Sequence, residues 1–384
     1  MRSSLILLSF VAVLSTSALS APVTVDVTGQ GANKKTVSVA VSNAAFKRSL
    51  ERNLILSGLF EVAPSGSIKV TGEPGVSVRA EGEGRALTST EAVADDASAR
   101  MVARRFSDAM CEAYGSQKGF ACDRLAFVCD KGTGVKELCT CYPDGQDIRQ
   151  VTADGSIVVG PRWKDADTLF YTRYPKGGGP EIWQLDVNTG KRSQTLQLKG
   201  LNTGAVISPD GKRLAAILSF QGNPELYVID LATRQWTRLT NTPKASEGCP
   251  SWSPDGASIV YVSDESRRQN LYVVDVASKK SRRVTSKGSA NIEPDWGSDG
   301  RIAYISKREG LNWVAVLDLA EGEGAARLVG EGGSWSHPSW SRDGRHVVAS
   351  RDKAVFSVDT LPDGDRPQQI FLNKGKWITP AWNR

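Results

Sequence analysis

Two histidines in 384 residues, His337 and His346, leave this chain nearly devoid of the side chain on which most hydrolytic and metal sites depend. A hydrolase needs a nucleophile, a base and an orienting acid. His337 falls in an expected loop, Ser334-Trp335-Ser336-His337-Pro338, and His346 opens an expected strand, where a packed or surface role is the ordinary reading. There is no Gly-x-Ser-x-Gly elbow, phosphate loop or His-Glu-x-x-His helix. Peptidases that carry a repeat fold of the kind described below need an added α/β catalytic unit, and no chain follows Arg384 to supply one. The expectation is a protein that is not an enzyme and has no metal or cofactor.

Long apolar runs are missing beyond the extreme N-terminus. There Arg2 precedes the apolar residues 5–14 and the small-residue stretch Ser17-Ala18-Leu19-Ser20-Ala21, the pattern of a secretory signal peptide with cleavage expected after Ser20. The run is shorter than the ~20 residues a bilayer-spanning helix needs. No Cys stands at the cleavage region to take a lipid anchor. An excess of one charge is also missing: the net charge is +6, and basic pairs such as Lys34-Lys35, Arg104-Arg105 and Arg267-Arg268 are scattered. A nucleic-acid site would need a basic stripe with interleaved aromatics, so none is expected.

Export changes the reading of the six cysteines, since an oxidising compartment favours disulfides. Cys111, Cys122, Cys129, Cys139 and Cys141 cluster in one stretch, whereas Cys249 stands alone. Cys139 and Cys141 flank a single Thr on an expected strand, so they share a face and cannot easily bridge each other. The expected pairs are Cys111 with Cys122, and Cys129 with either Cys139 or Cys141. Without a C-x-x-C spacing or a nearby His, zinc is the poorer reading.

What the chain has in quantity is a repeat. Pro-x-Trp occurs at Pro161-Arg162-Trp163, Pro250-Ser251-Trp252, Pro294-Asp295-Trp296, Pro338-Ser339-Trp340 and Pro380-Ala381-Trp382, with Ala205-Val206-Ile207 in the gap, at about 44-residue intervals. Polar turns follow: Ser208-Pro209-Asp210-Gly211, Ser253-Pro254-Asp255-Gly256, Ser341-Arg342-Asp343-Gly344 and the variant Gly297-Ser298-Asp299-Gly300. In these, Pro presets the turn and Gly permits positive φ. An apolar run then leads to a second run ending in Asp, at Asp186, Asp230, Asp275, Asp318 and Asp359, and a third run leads to the next Pro-x-Trp.

Four short strands per repeat is the pattern of propeller blades, since one such sheet cannot bury both faces until neighbours stack on it. The count reaches six if Leu125-Ala126-Phe127-Val128 opens a further unit. That unit lacks an inner strand, and Pro380-Ala381-Trp382 at the other end of the chain is expected to supply it, closing the ring. The recurring Asp reads as a turn residue bonding backbone amides rather than as a catalytic acid. The tryptophans read as packing between blades rather than as a ligand-stacking ring.

Residues 21–120 lack the repeat. Residues 23–27 and 36–41 read as strands, and residues 43–56, with Phe46, Leu50 and Leu54 at helical spacing, read as a helix ending near Gly58. Short β segments are expected at residues 68–70 and 76–78. A second helix is expected from the capping-box pattern Thr88-Ser89-Thr90-Glu91, with Met101, Val102, Phe106, Ala109 and Met110 on one side. The expected fold class is mainly β: a six-bladed β-propeller (121–384) preceded by a small α/β domain (21–120) and a signal peptide (1–20).

Signal, small α/β domain and propeller with Ser-Pro-Asp-Gly turns, in that order, resemble the TolB family of the Tol-Pal envelope system. The resemblance is carried by Leu50-Glu51-Arg52-Asn53-Leu54-Ile55-Leu56-Ser57-Gly58-Leu59-Phe60, by Asn270-Leu271-Tyr272-Val273-Val274-Asp275 and by residues 285–294. It implies a periplasmic protein-binding scaffold that links inner-membrane Tol proteins to the peptidoglycan-associated lipoprotein Pal and supports outer-membrane integrity and cell division. Pal would dock on the loops that precede the inner strands, since a propeller presents equivalent loops on one end. Here those loops offer Leu201, Asn202, Thr203, Lys244, Ser246, Glu247, Ser289, Asn291, Trp335, His337, Lys376 and Trp377. TolA would be met by the mature N-terminus, Val23, Thr24, Val25 and Asp26. Two alternatives are a propeller that takes a small ligand or cation in its channel and one that serves as an accessory to a hydrolase.

Overall fold

The computed structural model describes residues 34–362, 364–371 and 375–383. The expected signal peptide, residues 1–20, and the segment Val23, Thr24, Val25 and Asp26 lie outside the described residues. The chain opens with β1 (Lys35–Val41), α1 (Ala44–Leu56), β2 (Phe60–Val62), β3 (Ile68–Glu73), β4 (Ser77–Gly82), β5 (Arg85–Ser89) and α2 (Asp96–Gly115). The strands form one sheet in the order β2-β1-β3-β4-β5. α1 starts where Asn43 accepts the Phe46 N–H at 2.9 Å, and it buries Phe46, Leu50 and Leu54 against Val102, Phe106 and Met110 of α2 and against the sheet.

The start of α2 differs from the sequence expectation. Thr88 and Ser89 belong to β5, paired with β4, and the capping box is made by Asp95 and Ser98. Asp95 leads into the first helical turn, whereas residues 88 and 89 are held in the ladder by β4, and ladder bonds outcompete a local cap pattern.

From residue 125 the chain is β structure in a propeller arrangement. Four sheets are separate and four-stranded. Their strands are β13 (Asn202–Ile207), β14 (Arg213–Leu218), β15 (Glu225–Asp230) and β16 (Trp236–Arg238); β17 (Glu247–Trp252), β18 (Ser258–Ser263), β19 (Asn270–Asp275) and β20 (Ser281–Arg283); β21 (Ala290–Trp296), β22 (Ile302–Arg308), β23 (Leu311–Leu317) and β24 (Arg327–Gly333); and β25 (Ser336–Trp340), β26 (His346–Arg351), β27 (Ala354–Asp359) and β28 (Gln368–Gln369).

The remaining strands are β6 (Leu125–Asp130), β7 (Lys136–Cys141), β8 (Arg149–Gln150), β9 (Ile157–Trp163), β10 (Thr168–Tyr174), β11 (Glu181–Asp186), β12 (Arg192–Leu196) and β29 (Trp377–Trp382). They form a single eight-stranded sheet, in which β29 pairs antiparallel with β6. One parallel bridge, Lys136 to Ile157, joins β7 to β9 and merges what the repeat period would keep apart.

Four tryptophans of the repeat, Trp252, Trp296, Trp340 and Trp382, are buried, and Trp163 is half-buried. Trp252 packs with Ile217 and Tyr261, Trp296 with Val260 and Tyr304, and Trp340 with Ala303 and Val347. Arg213 stacks over Trp252 at 4.8 Å and Arg301 over Trp340 at 5.1 Å, each reaching on to the turn of the next sheet. The recurring Asp is a turn former: Asp230 Oδ1 accepts from the N–H groups of Ala232 and Thr233, and Asp186 from those of Asn188 and Thr189.

The disulfide is Cys129–Cys139, with Cα atoms 6.3 Å apart, a diagonal pair across the β6–β7 ladder. The expected Cys111–Cys122 bridge is absent, and both thiols are free. Cys111 is buried on α2 beside Ser57, whereas Cys122 lies beside Asp108, which accepts its backbone N–H at 3.1 Å. Cys141 is buried and free, and Cys249 is free and open to solvent.

Candidate functional site

The five strands that carry Pro-x-Trp, together with β13, stand side by side: β9 beside β13, then β17, β21, β25 and β29, and β29 beside β9 again. At three of these junctions the residue between Pro and Trp fastens one strand to the next. Ser251 Oγ accepts the Trp296 N–H at 2.9 Å, Asp295 Oδ2 the Trp340 N–H at 2.8 Å, and Ser339 Oγ the Trp382 N–H at 3.1 Å.

Proline cannot donate to a ladder, so within these strands it sits at a bulge. The register breaks at the proline in five of these strands, and at the equivalent Gly204-Ala205 in β13, which has no proline. The residue before the bulge adopts positive φ each time: Gly160, Gly204, Cys249, Glu293, His337 and Thr379. For the last four this costs about 1 kcal/mol or more each, a strain that persists only where the surrounding ladder imposes it.

The left-handed turn brings three of these side chains together. His337 N donates to Glu293 Oε2 at 2.6 Å, and His337 Nε2 lies 3.3 Å from Glu293 Oε1. Cys249 is hydrogen-bonded to the backbone of Glu293. Although solvent reaches the Cys249 side chain, the protein packed around it desolvates the thiol and pushes it up to about 11, with the Glu293 carboxylate adding to the effect and Arg162 opposing it. Burial likewise lowers the pKa of His337, opposed by Glu293 and assisted by Arg162 and Lys136. The cluster can offer a carboxylate, an imidazole and a thiol to a guest. Among the described residues no group of three or more His, Cys, Asp or Glu is set to hold a metal ion.

The two ends of the propeller are chemically different. At one end the entry to an inner strand is tied to the hairpin before the third strand of the preceding sheet: Glu247 N donates to Pro224 O at 3.1 Å, Asn291 N to Gln269 O at 2.8 Å and Trp377 N to Lys353 O at 2.8 Å. The other end carries the Ser-Pro-Asp-Gly and Asp turns. α1 and α2 are joined to that second end, through Arg345 Nη2 to Gly58 O at 3.4 Å, Ser49 Oγ to Asp144 Oδ2 at 2.7 Å and Arg104 to Asp144.

The residues expected on the entry loops divide by burial. Lys244, Ser246, Ser289 and Lys376 are exposed, and Leu201, Thr203, His337 and Trp377 are half-buried. Asn202, Asn291, Glu247 and Trp335 are buried and shape the loops from within. Asn202 Nδ2 donates to Leu198 O at 2.7 Å and Pro180 O at 3.1 Å. Asn291 Nδ2 bridges Lys287 O and Asn270 Oδ1. Glu247 accepts from Thr242 and Ser263, and burial raises its pKa to about 7. The Trp335 indole donates to Glu331 O at 2.6 Å and packs edge-on against Phe356. The sequence reading did not place Arg162, Cys249 and Glu293 at a site, although the position before or after the repeat proline was the signal for them.

The profile of the TolB beta propeller domain matches residues 112–384. The Tol-Pal system protein TolB of Desulfosudis oleivorans is 33% identical over 144 residues, 37% of this chain and 32% of that protein. The TolB of Anaeromyxobacter dehalogenans is 30% identical over 159 residues, 41% of this chain and 36% of that one. The chain thus spans about a third of the length of these curated relatives. The crystal structure of TolB from Acinetobacter baumannii superposes with a TM-score of 0.78 at 24% identity, covering 91% of this chain and 96% of that one, so the two share a fold. With the profile covering well over half its length, this chain belongs to the TolB β-propeller family.

Proposed function

We propose that this protein is a periplasmic binding scaffold of the Tol-Pal type, exported by its N-terminal signal, which docks a Pal-like lipoprotein on the entry-loop end of its propeller. On this reading residues 21–120 form a separate domain, and the eight-stranded sheet is two blades joined by the Lys136–Ile157 bridge, giving six blades closed by β29. The observation that carries the docking reading is polarity of the two ends. α1 and α2 engage the Ser-Pro-Asp-Gly end, so among the described residues the entry loops keep Lys244, Ser246, Ser289 and Lys376 exposed to a partner. The mature N-terminus, residues 23–26, would meet TolA. Scaffolding, not catalysis, would sustain outer-membrane integrity and cell division.

The test is a titration of the exported protein with the soluble domain of its Pal. Lys244→Glu and Lys376→Glu should each weaken binding about tenfold, whereas Lys212→Glu at the opposite end should leave it unchanged. No binding by a folded protein, or equal loss in all three variants, would sink the proposal. The convergence of Cys249, Glu293 and His337 keeps a second reading in view, a small ligand in the channel.

A further inference from the structure

A cavity of about 500 Å³ opens where α1 faces the turn after β7, on the side of the protein away from the entry loops. Its walls include Arg48, Ser49, Arg52 and Ile55 of α1, with Gly145 of the turn and Phe371 beyond β28 opposite. The size is that of an ordinary small-molecule site, a few hundred to ~1,000 Å³. Gly145 is required for the cavity's floor: it has positive φ, and a Cβ there would come within 2.4 Å of Ile370 O.

The charges around the cavity do not balance locally. The Asp144 carboxylate is already taken by Arg104, Ser49 and the Gln146 N–H, and Asp147 is taken by Arg100 and Arg104. Glu51 faces Lys47 at 3.8 Å. Among the described residues, neither Arg48 nor Arg52 has an ion-pair partner. Arg52 donates from Nη2 to Gln369 O, but its Nε is buried with no hydrogen-bond partner. Burial lowers the pKa of Arg52, with Asp144 opposing. A half-buried guanidinium with no direct ion-pair contact, only the more distant field of Asp144, is costly, and an incoming oxyanion would lower that cost with a forked, charge-assisted contact. Beside the two guanidiniums, Ile55, Ile370 and Phe371 give the same cavity an apolar wall.

We infer that the cavity between α1 and the Asp144-Gly145-Gln146 turn binds a small organic anion, an oxyanion headgroup on a short apolar body. The headgroup sits on Arg52 and Arg48, and the body lies against Ile55, Ile370 and Phe371. This site is independent of the docking reading above, since it lies at the opposite end and uses none of the entry-loop residues.

Isothermal titration of the exported protein with hexanoate, with hexanol and with inorganic phosphate tests this. Hexanoate should bind, and both hexanol and phosphate should bind at least about tenfold more weakly, since each lacks one half of the recognised group. Arg52→Gln should weaken hexanoate about tenfold to a hundredfold. Ile55→Trp, which fills the cavity and leaves both arginines in place, should abolish binding while the protein still melts cooperatively. Hexanol or phosphate binding as tightly as hexanoate, or hexanoate binding unchanged in both variants, would overturn the inference. Normal Pal binding by the same two variants would separate a failure here from a failure of the docking reading.

Discussion

The indole N–H of Trp382 donates to Asp123 Oδ2 at 3.1 Å, which ties the last strand of the chain to the residues that lead into β6. Asp123 Oδ1 also faces Arg342 at 3.2 Å, yet burial dominates and raises its pKa to about 7. A carboxyl group whose folded pKa lies above its unfolded value near 4 binds its proton more tightly in the folded state. Its stabilisation is complete at acidic pH and is lost as pH rises through about 7. Urea unfolding at pH 5 and pH 8 should therefore show Asp123→Asn gaining about 1–3 kcal/mol relative to the parent across that interval. A difference that does not change with pH would refute this account.

The Cys129–Cys139 bridge closes a short loop, and Cys111 and Cys122 are free. Peptide mapping after alkylation under denaturing, non-reducing conditions should recover Cys129 linked to Cys139 and the other four cysteines alkylated. Replacing Cys129 and Cys139 by Ser should lower stability by about 2–3 kcal/mol. A Cys111–Cys122 peptide would contradict the structure directly.

Trp335 is wholly buried among Ile305, Val347 and Phe356. Trp335→Ala should destabilise by about 3–5 kcal/mol through the cavity it leaves. Any loss of partner binding in that variant would thus be a folding effect, and thermal melting beside the binding measurement shows which. The exposed Lys244 and Lys376 are the cleaner probes of the entry end.

Arg104 is fully buried on α2 with its guanidinium on both Asp144 and Asp147. Truncation of one partner leaves the other charges uncompensated in a poor dielectric, at a cost of about 3–5 kcal/mol. Arg104→Leu should lower the melting temperature by several degrees, and combining it with Asp144→Leu should recover part of the loss. A double variant no better than the single one would rule out the charge pair as the cause.

Much of the β architecture was legible because two signals repeat. Pro-x-Trp marks the bulged inner strand and Ser-Pro-Asp-Gly marks the turn after it, and both follow from what Pro and Gly permit a backbone to do. The bridge that fuses β7 to β9 carries no sequence signal, since Lys136 and Ile157 meet only through backbone geometry. The cap of α2 was misread because Thr88 and Glu91 match a local pattern, and the pairing of β5 with β4 overrides it. In the entry loops the sequence marks position but not depth: Asn202 and Asn291 look like surface polar groups and are instead buried, each holding loop carbonyls. Cys249 stood out only as the cysteine apart from the other five, and Glu293 not at all, because only the shared left-handed conformation, not residue type, relates them to His337.

That left-handed position has a consequence for how a guest could enter. Gly160 and Gly204 present bare backbone at two successive inner strands, while Cys249, Glu293, His337 and Thr379 present side chains at the next four. A frame that nearly repeats itself from strand to strand is thereby keyed, with a smooth arc and a functionalised arc. A partner inserted along the axis would meet one rotational setting unlike the others, so the bulge residues select an angular register where the repeated fold alone would leave several equivalent.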